Sequence, residues 1–160
     1  QEFQLQPAGL HALNSLRIEK AYRHWGHDIG PDDNPFHAGL GFAVDLDKPG
    51  GFRGRDALLR AVETPLRRRL VQFLLQDPTF MLYHEEPIWR DGTLVGHITS
   101  GAYGHTLGGA IGLGYVAGEP GLAAEAGLAA RYEVEVACER VAAEVSLQPL
   151  YDPENTQIRC

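Results

Sequence analysis

The hydrophobic pattern divides the chain near its first third. Residues 9–25 have helical character with no internal Gly or Pro, and Gly26 and Gly30-Pro31 then stop the helix. "DDNP" is a turn cluster, and "AGLGFAVDL" (Ala38 to Leu46) is a short apolar run that predicts a strand. "PGG" at Pro49 to Gly51 is a further turn, and "RDALLRAV" (Arg55 to Val62) predicts a short amphipathic helix. After Pro65 the texture changes. "RRLVQFLLQ" reads as a strand, and "EPIWRDGTLVGHITS" reads as two strands around Asp91-Gly92, the strongest short hairpin signal.

"TSGAYG" (Thr99 to Gly104) reads as a β turn, and "GAIGLGYVAG" as a strand whose glycines mark bulges or close backbone approach. In "RYEVEVACERVAAEVSL", Tyr132, Val134 and Val136 alternate with Glu133 and Glu135, then Val141, Ala143, Val145 and Leu147 resume, so a second hairpin is expected. "GLAAEAGLAA" (Gly121 to Ala130) is helical by composition but loop-like by its glycines and its place between strands. The expected fold is α+β and mainly β: an N-terminal helical segment followed by a small antiparallel barrel of about six strands, whose closure hides strand edges. Two units are expected, 1–64 and 65–160.

Composition bounds the function. The chain has 160 residues, 44% apolar and 22% charged, ordinary for a globular protein able to bury a core. The net charge is −7 and "LRRRL" is its one basic tract, so nucleic acid is not an expected partner, though a local basic pocket for a small anion stays open. Cys138 and Cys160 have no metal-type spacing and form no disulfide framework, which suits a reducing compartment. No apolar run approaches the ~20 residues of a membrane span, and no signal peptide is visible. The first residue is Gln, and "QEFQLQPAGLHAL" carries no targeting logic; a stretch of a longer polypeptide is expected.

On the first helix, at about 100° per residue, His11, Ser15, Glu19 and Tyr22 fall on one stripe, with Leu10, Leu13, Ala21 and Trp25 on the opposite side. Such a stripe could hydrogen-bond a polar heterocycle. The plainer alternative is a solvated face with Glu19 paired to Arg23, and spacing alone favours it. His24 and His27 straddle the helix end and lack thiolate or carboxylate partners at zinc spacing, so no metal site is expected. No nucleophile elbow, dinucleotide fingerprint or P-loop lysine is present.

"ALNSLRIEKAYRHWGHDIGPDDNPFHAGLGFAVDLDKPGGFRGRDAL" resembles the folate-binding T-protein family of the glycine cleavage system. That family's L-R-x-E, Tyr, Gly-[His/Asn]-[Asp/Glu], P-x-x-A-G-L and F-x-G-[R/K]-x-A-L elements stand here at Leu16 to Glu19, Tyr22, Gly26 to Asp28, Pro35 to Leu40 and Phe52 to Leu58. "IWRDGTLVGHITSGAYGHTLGGAIGLGYV" resembles the tract of the same family's C-terminal barrel. Leu13-Asn14 stands where T-proteins proper carry Arg-Asp. That departure, with the tail "LQPLYDPENTQIR", is closer to the sarcosine and dimethylglycine dehydrogenases, flavoproteins that end in a T-protein-like region. The signature Lys-Gly-Cys-Tyr-x-Gly-Gln of a related branch is not found.

The resemblance implies that the chain is the C-terminal folate-domain portion of a flavin-dependent dehydrogenase acting on an N-methyl amine. FAD would belong to an absent N-terminal domain, which oxidises the amine to an iminium. Tetrahydrofolate would capture the one-carbon unit in a site that this chain only partly builds. It implies Tyr22 first, then Glu19, Arg17 and Phe42, as cofactor-binding residues, with core packing the commoner role for an aromatic such as Phe42 and a structural ion pair equally open to Arg17. No catalytic residue is implied here, since the family's carboxylate comes from the absent part, and the chain alone should not turn over. Partners would be the folate and the absent N-terminal domains. A stand-alone aminomethyltransferase and a non-catalytic binding module are the alternatives. Relatives of this kind occur in bacterial cytoplasm and in mitochondria.

Overall fold

The computed structural model describes residues 3, 6–118 and 128–159. Helix α1 (Leu10–Glu19) opens the chain, a 3-10 turn (Gly41–Ala43) interrupts the following loop, and helix α2 (Arg55–Glu63) comes next. Six strands follow: β1 (Arg68–Leu75), β2 (Pro87–Arg90), β3 (Thr93–Gly104), β4 (Gly109–Ala117), β5 (Tyr132–Val136) and β6 (Glu139–Ser146). All neighbours are antiparallel in the order β1-β4-β3-β2-β5-β6, and β6 pairs back onto β1 to close the barrel. The mainly β, helix-then-barrel architecture is the expected one.

Both hairpins form at the expected places. Asp91 and Gly92 have φ of 48° and 79°, and Ala137 and Cys138 have φ of 50° and 68°, the left-handed pair that a two-residue turn needs to match strand twist. The barrel interior is filled by Val71, Phe73, Ile88, Ile98, Val134 and their neighbours. A second cluster lies on the outside of β1 and β4, where Leu70, Ile111, Leu113 and Tyr115 meet Ile18 and Ala21. Strand β4 is therefore buried on both faces, which is why it reads as an unbroken apolar run. Its glycines answer to close approach. A Cβ on Gly114 would stand 2.7 Å from both the His97 carbonyl oxygen and Ile88 Cδ1.

Three expectations are corrected. The first helix ends at Glu19, not near Trp25, because Ala21 turns left-handed at φ 52° and Gln72 Nε2 donates to the Ile18 and Glu19 carbonyls at 2.6 and 3.2 Å. Residues 38–46 form no strand; Leu40 and Val44 close turns onto Pro35 and Gly41 instead. Thr99–Gly104 is the second half of strand β3, paired to β4 as far as Gly104↔Gly109, rather than a turn. Of the two readings for the β4 glycines, close backbone approach is the one that holds, while register slips lie in β3, against β4 between Ile98 and Ser100 and against β2 between Gly96 and Leu94. Of the ambiguous stretch 121–130, only residues 128–130 are described, and Cys160 also lies outside the described residues. Among the described residues, no helix is long and apolar enough to cross a membrane.

Candidate functional site

The segment from α1 to the 3-10 turn is held by one buried carboxylate. Asp28 Oδ2 accepts from Arg17 Nη1 at 2.7 Å and from the His24 backbone N–H at 2.8 Å, and Oδ1 accepts from Thr99 Oγ1 at 2.6 Å. The Asp28 side chain has no exposure and that of Arg17 has 13%. Arg17 also donates through Nη2 to Ser100 Oγ at 2.9 Å, through Nη1 to the Tyr22 carbonyl at 3.2 Å and through Nε to Asn14 Oδ1 at 3.2 Å. Strict alternation would send Thr99 and Ser100 to opposite faces of β3. The extra residue of the bulge lets both hydroxyls serve the Arg17–Asp28 pair. Each charge thus finds the hydrogen bonds that make a buried pair tolerable.

Glu19 is the second buried carboxylate, 1% exposed. Its Oε1 accepts from the backbone N–H groups of Thr106 and Leu107 at 2.7 and 3.2 Å, and Oε2 accepts from Thr106 Oγ1 at 3.0 Å. It ties the end of α1 to the β3–β4 turn. The expected pairing of Glu19 with Arg23 does not occur: Arg23 instead donates through Nε to the Ala38 carbonyl at 2.9 Å and through Nη1 to the Ala21 carbonyl at 2.6 Å. Burial draws the Arg23 pKa down, and the Asp28 charge opposes it. Lys20, 6% exposed, reaches Asn155 Oδ1 at 2.8 Å and the Asp152 carboxylate at 3.4 Å, so the C-terminal tail is fastened to the same helix.

A second charged group lies at the start of β1. Arg68 pairs with Asp33 and lies over the Tyr115 ring, 4.7 Å from its centre. Burial, with Asp33 beside it, pushes the Tyr115 phenol up to about 12. Burial and the Arg68 charge hold the His37 imidazole below its ordinary value.

This frame also presents aromatic surface. Tyr22 is 51% exposed, Trp25 67% and Phe42 87%. Tyr22 lies beyond α1, in the loop whose carbonyl Arg17 holds. Phe42 sits on the 3-10 turn and is not a core residue. The expected polar stripe is split, since Ser15 and Glu19 are buried against the barrel while His11 and Tyr22 face out. Ser15 Oγ donates to the Tyr103 carbonyl at 2.7 Å. The supposed apolar side is inverted as well: Leu10, Leu13 and Trp25 are exposed, and only Ala21 is buried. Glu19 and Asp28 are both buried in hydrogen bonds to this chain's own groups, while the rings of Tyr22, Trp25 and Phe42 stay open to solvent.

Sequence reasoning brought forward Arg17 and Glu19 but passed over Asp28 and Trp25. The signal for Asp28 was present: it closes the Gly26-His27-Asp28 element. Trp25 was hidden by extending the helix too far. Among the described residues, no group of three or more His, Cys, Asp or Glu could hold a metal; His24 and His27 simply stack, 4.7 Å between ring centres.

The family model described as the glycine cleavage T-protein C-terminal barrel domain matches residues 68–152, and that of the GCVT N-terminal domain matches residues 1–48. The chain is 46% identical over 159 residues to "4-methylaminobutanoate oxidase (formaldehyde-forming)" of Paenarthrobacter nicotinovorans, covering 99% of this chain and 19% of that protein. It is 38% identical over 156 residues to the mitochondrial sarcosine dehydrogenase of Homo sapiens, covering 95% of this chain and 17% of that one. The crystal structure of glycine cleavage system aminomethyltransferase T from Bartonella henselae superposes with a TM-score of 0.76 at 25% identity, over 91% of this chain and 40% of that chain. The chain spans less than a fifth of the length of these two curated relatives.

Proposed function

The chain belongs to the glycine cleavage T-protein family, and on that premise we propose that it is the folate-domain portion of a flavin-dependent N-methyl amine dehydrogenase of the sarcosine/dimethylglycine type. In that role it would help pass the one-carbon unit to tetrahydrofolate. One observation carries the reading. Almost the whole chain aligns with a small share of much longer proteins, one named an oxidase of an N-methylated amino acid and another a sarcosine dehydrogenase. The site geometry supports it. A pterin needs a flat, partly apolar wall with a few placed polar groups, and Tyr22 and Phe42 offer open ring surface on a rigid frame.

Tetrahydrofolate, when bound, supplies the nitrogens that accept a one-carbon unit at the oxidation level of formaldehyde. The roles proposed for this chain are binding ones. Tyr22 and Phe42 contact the ligand. Arg17 and Glu19 hold the loop and the helix end in place through Asp28, Thr106 and Leu107. No proton-transfer role at the reacting nitrogens is proposed for Glu19 or Asp28, which are buried and hydrogen-bonded to this chain's own groups.

The test is the visible spectrum and intact mass of the native gene product, followed by amine turnover with and without tetrahydrofolate. A flavin spectrum on a chain several times longer, with folate diverting product from free formaldehyde, is the expected result. The likeness to the Bartonella aminomethyltransferase favours a second reading, a portion of a stand-alone aminomethyltransferase. A colourless product only about twice this length would select it. A product with neither flavin nor folate binding would leave a non-catalytic module.

A further inference from the structure

Helix α1 is packed with its polarity reversed. At about 100° per residue, its buried residues Ser15, Ile18 and Glu19 define one side, and Leu10, Leu13 and Leu16 fall on the opposite side. Those three leucines are 69%, 58% and 60% exposed. The inward side has reasons of its own: Ser15 and Glu19 satisfy backbone groups of β3 and the β3–β4 turn, and Ile18 fills the cluster on β4. Nothing in the barrel explains the leucines.

The residues matched by the N-terminal-domain model lack a core. Among the described residues of 1–48, the buried apolar side chains are Ile18, Ala21 and Ala38, and the first two pack on the barrel. Three such residues do not make the interior of a domain. A leucine face backed by a fixed helix is half of one.

We propose that the Leu10–Leu13–Leu16 face of α1 is an intramolecular interface, covered by an apolar part of the N-terminal domain in polypeptide that precedes Gln1 in the native gene product. The proposal rests on the reading of this chain as a portion of a longer T-protein-family protein. Two observations choose this occupant over others. The solved aminomethyltransferase has about 60% of its length outside the match, and the face is uncharged and aliphatic, which suits a protein core rather than an ionic partner.

The experiment compares one double substitution, Leu13→Glu with Leu16→Glu, in the 160-residue chain and in the native gene product. In the shorter chain the unfolding temperature should stay within about 2 °C, because two exposed side chains change. In the native product it should fall by about 5 °C or more, with faster hydrogen exchange in α1. An equal shift in both proteins, no shift in the native product, or a native product no longer than this chain would overturn the proposal. So would a dimer of the shorter chain dissolved by the substitution, which assigns the face to a second copy. Tetrahydrofolate binding by the unsubstituted native product is read separately. A shift without folate binding keeps the interface and removes the proposed function; folate binding without a shift does the reverse.

Discussion

The barrel and the segment before it follow different rules. In the barrel, side chains obey the two-residue alternation of strands: Val71, Phe73 and Leu75 point inward while Leu70 and Gln72 point to α1. In residues 10–42 the pattern is mixed: Ile18, Ala21 and Ala38 are buried, but so are Glu19 and Asp28 at 1% exposed, while Leu10, Leu13 and Phe42 are more than half exposed. A region that makes its own core is organised by hydrophobic burial. A region that docks onto a finished core can be organised by buried ions and backbone caps, and it leaves some of its apolar residues for something else.

The largest expected effect comes from breaking the ion pair within the segment that braces it against Thr99 and Ser100 of β3. Asp28→Ala leaves Arg17 buried without its partner, and the 160-residue chain should lose about 3–5 kcal/mol in chemical denaturation. A loss below about 1 kcal/mol would mean that the pair behaves as a surface bridge. Within the barrel, Gly101→Ala sets a Cβ 2.4 Å from the Leu82 carbonyl carbon, so backbone must move. A cost of about 1–3 kcal/mol or more is expected from the same measurement, with α1 contacts retained by hydrogen exchange.

Glu19→Gln keeps the shape but weakens three hydrogen bonds to Thr106 and Leu107, and about 1–2 kcal/mol should be lost. Tyr115 separates the regions by pH. Its phenol is raised from 10.0 to about 12, so the folded state favours the neutral form. The stabilisation is full below pH 10 and is lost as pH rises toward 12. Tyr115→Phe should remove that alkaline loss from a pH series of unfolding midpoints. The smallest stability effect is expected at the open ring surface: Phe42→Ala should stay within about 0.5 kcal/mol, while weakening folate binding by the native product.

Much of the barrel was legible in the chain because each strand meets the interior on one face and the turns carry Asp91-Gly92 or break an alternating run at Ala137-Cys138. Strand β4 was legible for another reason, as a fully apolar run covered on both sides. The β3 bulge was not, since Thr99 and Ser100 look like turn residues until Asp28 and Arg17 are known to need both hydroxyls. The end of α1 was also invisible, because its cap is Gln72, 53 positions after Glu19. Ala38 to Leu46 reads as a strand by propensity, but the barrel has no open edge to receive it. The motif residues of the candidate site could be found in the sequence. Which of them face outward and which brace inward could not, because helix periodicity does not say which face meets the core.

The most direct test of the account is the ratio of methylene-tetrahydrofolate formed to amine oxidised, measured in the native gene product and its Tyr22→Phe variant. The account predicts a high ratio that drops in the variant while the oxidation rate stays nearly unchanged. Equal loss of both activities, or no folate product from the unsubstituted protein, would contradict it.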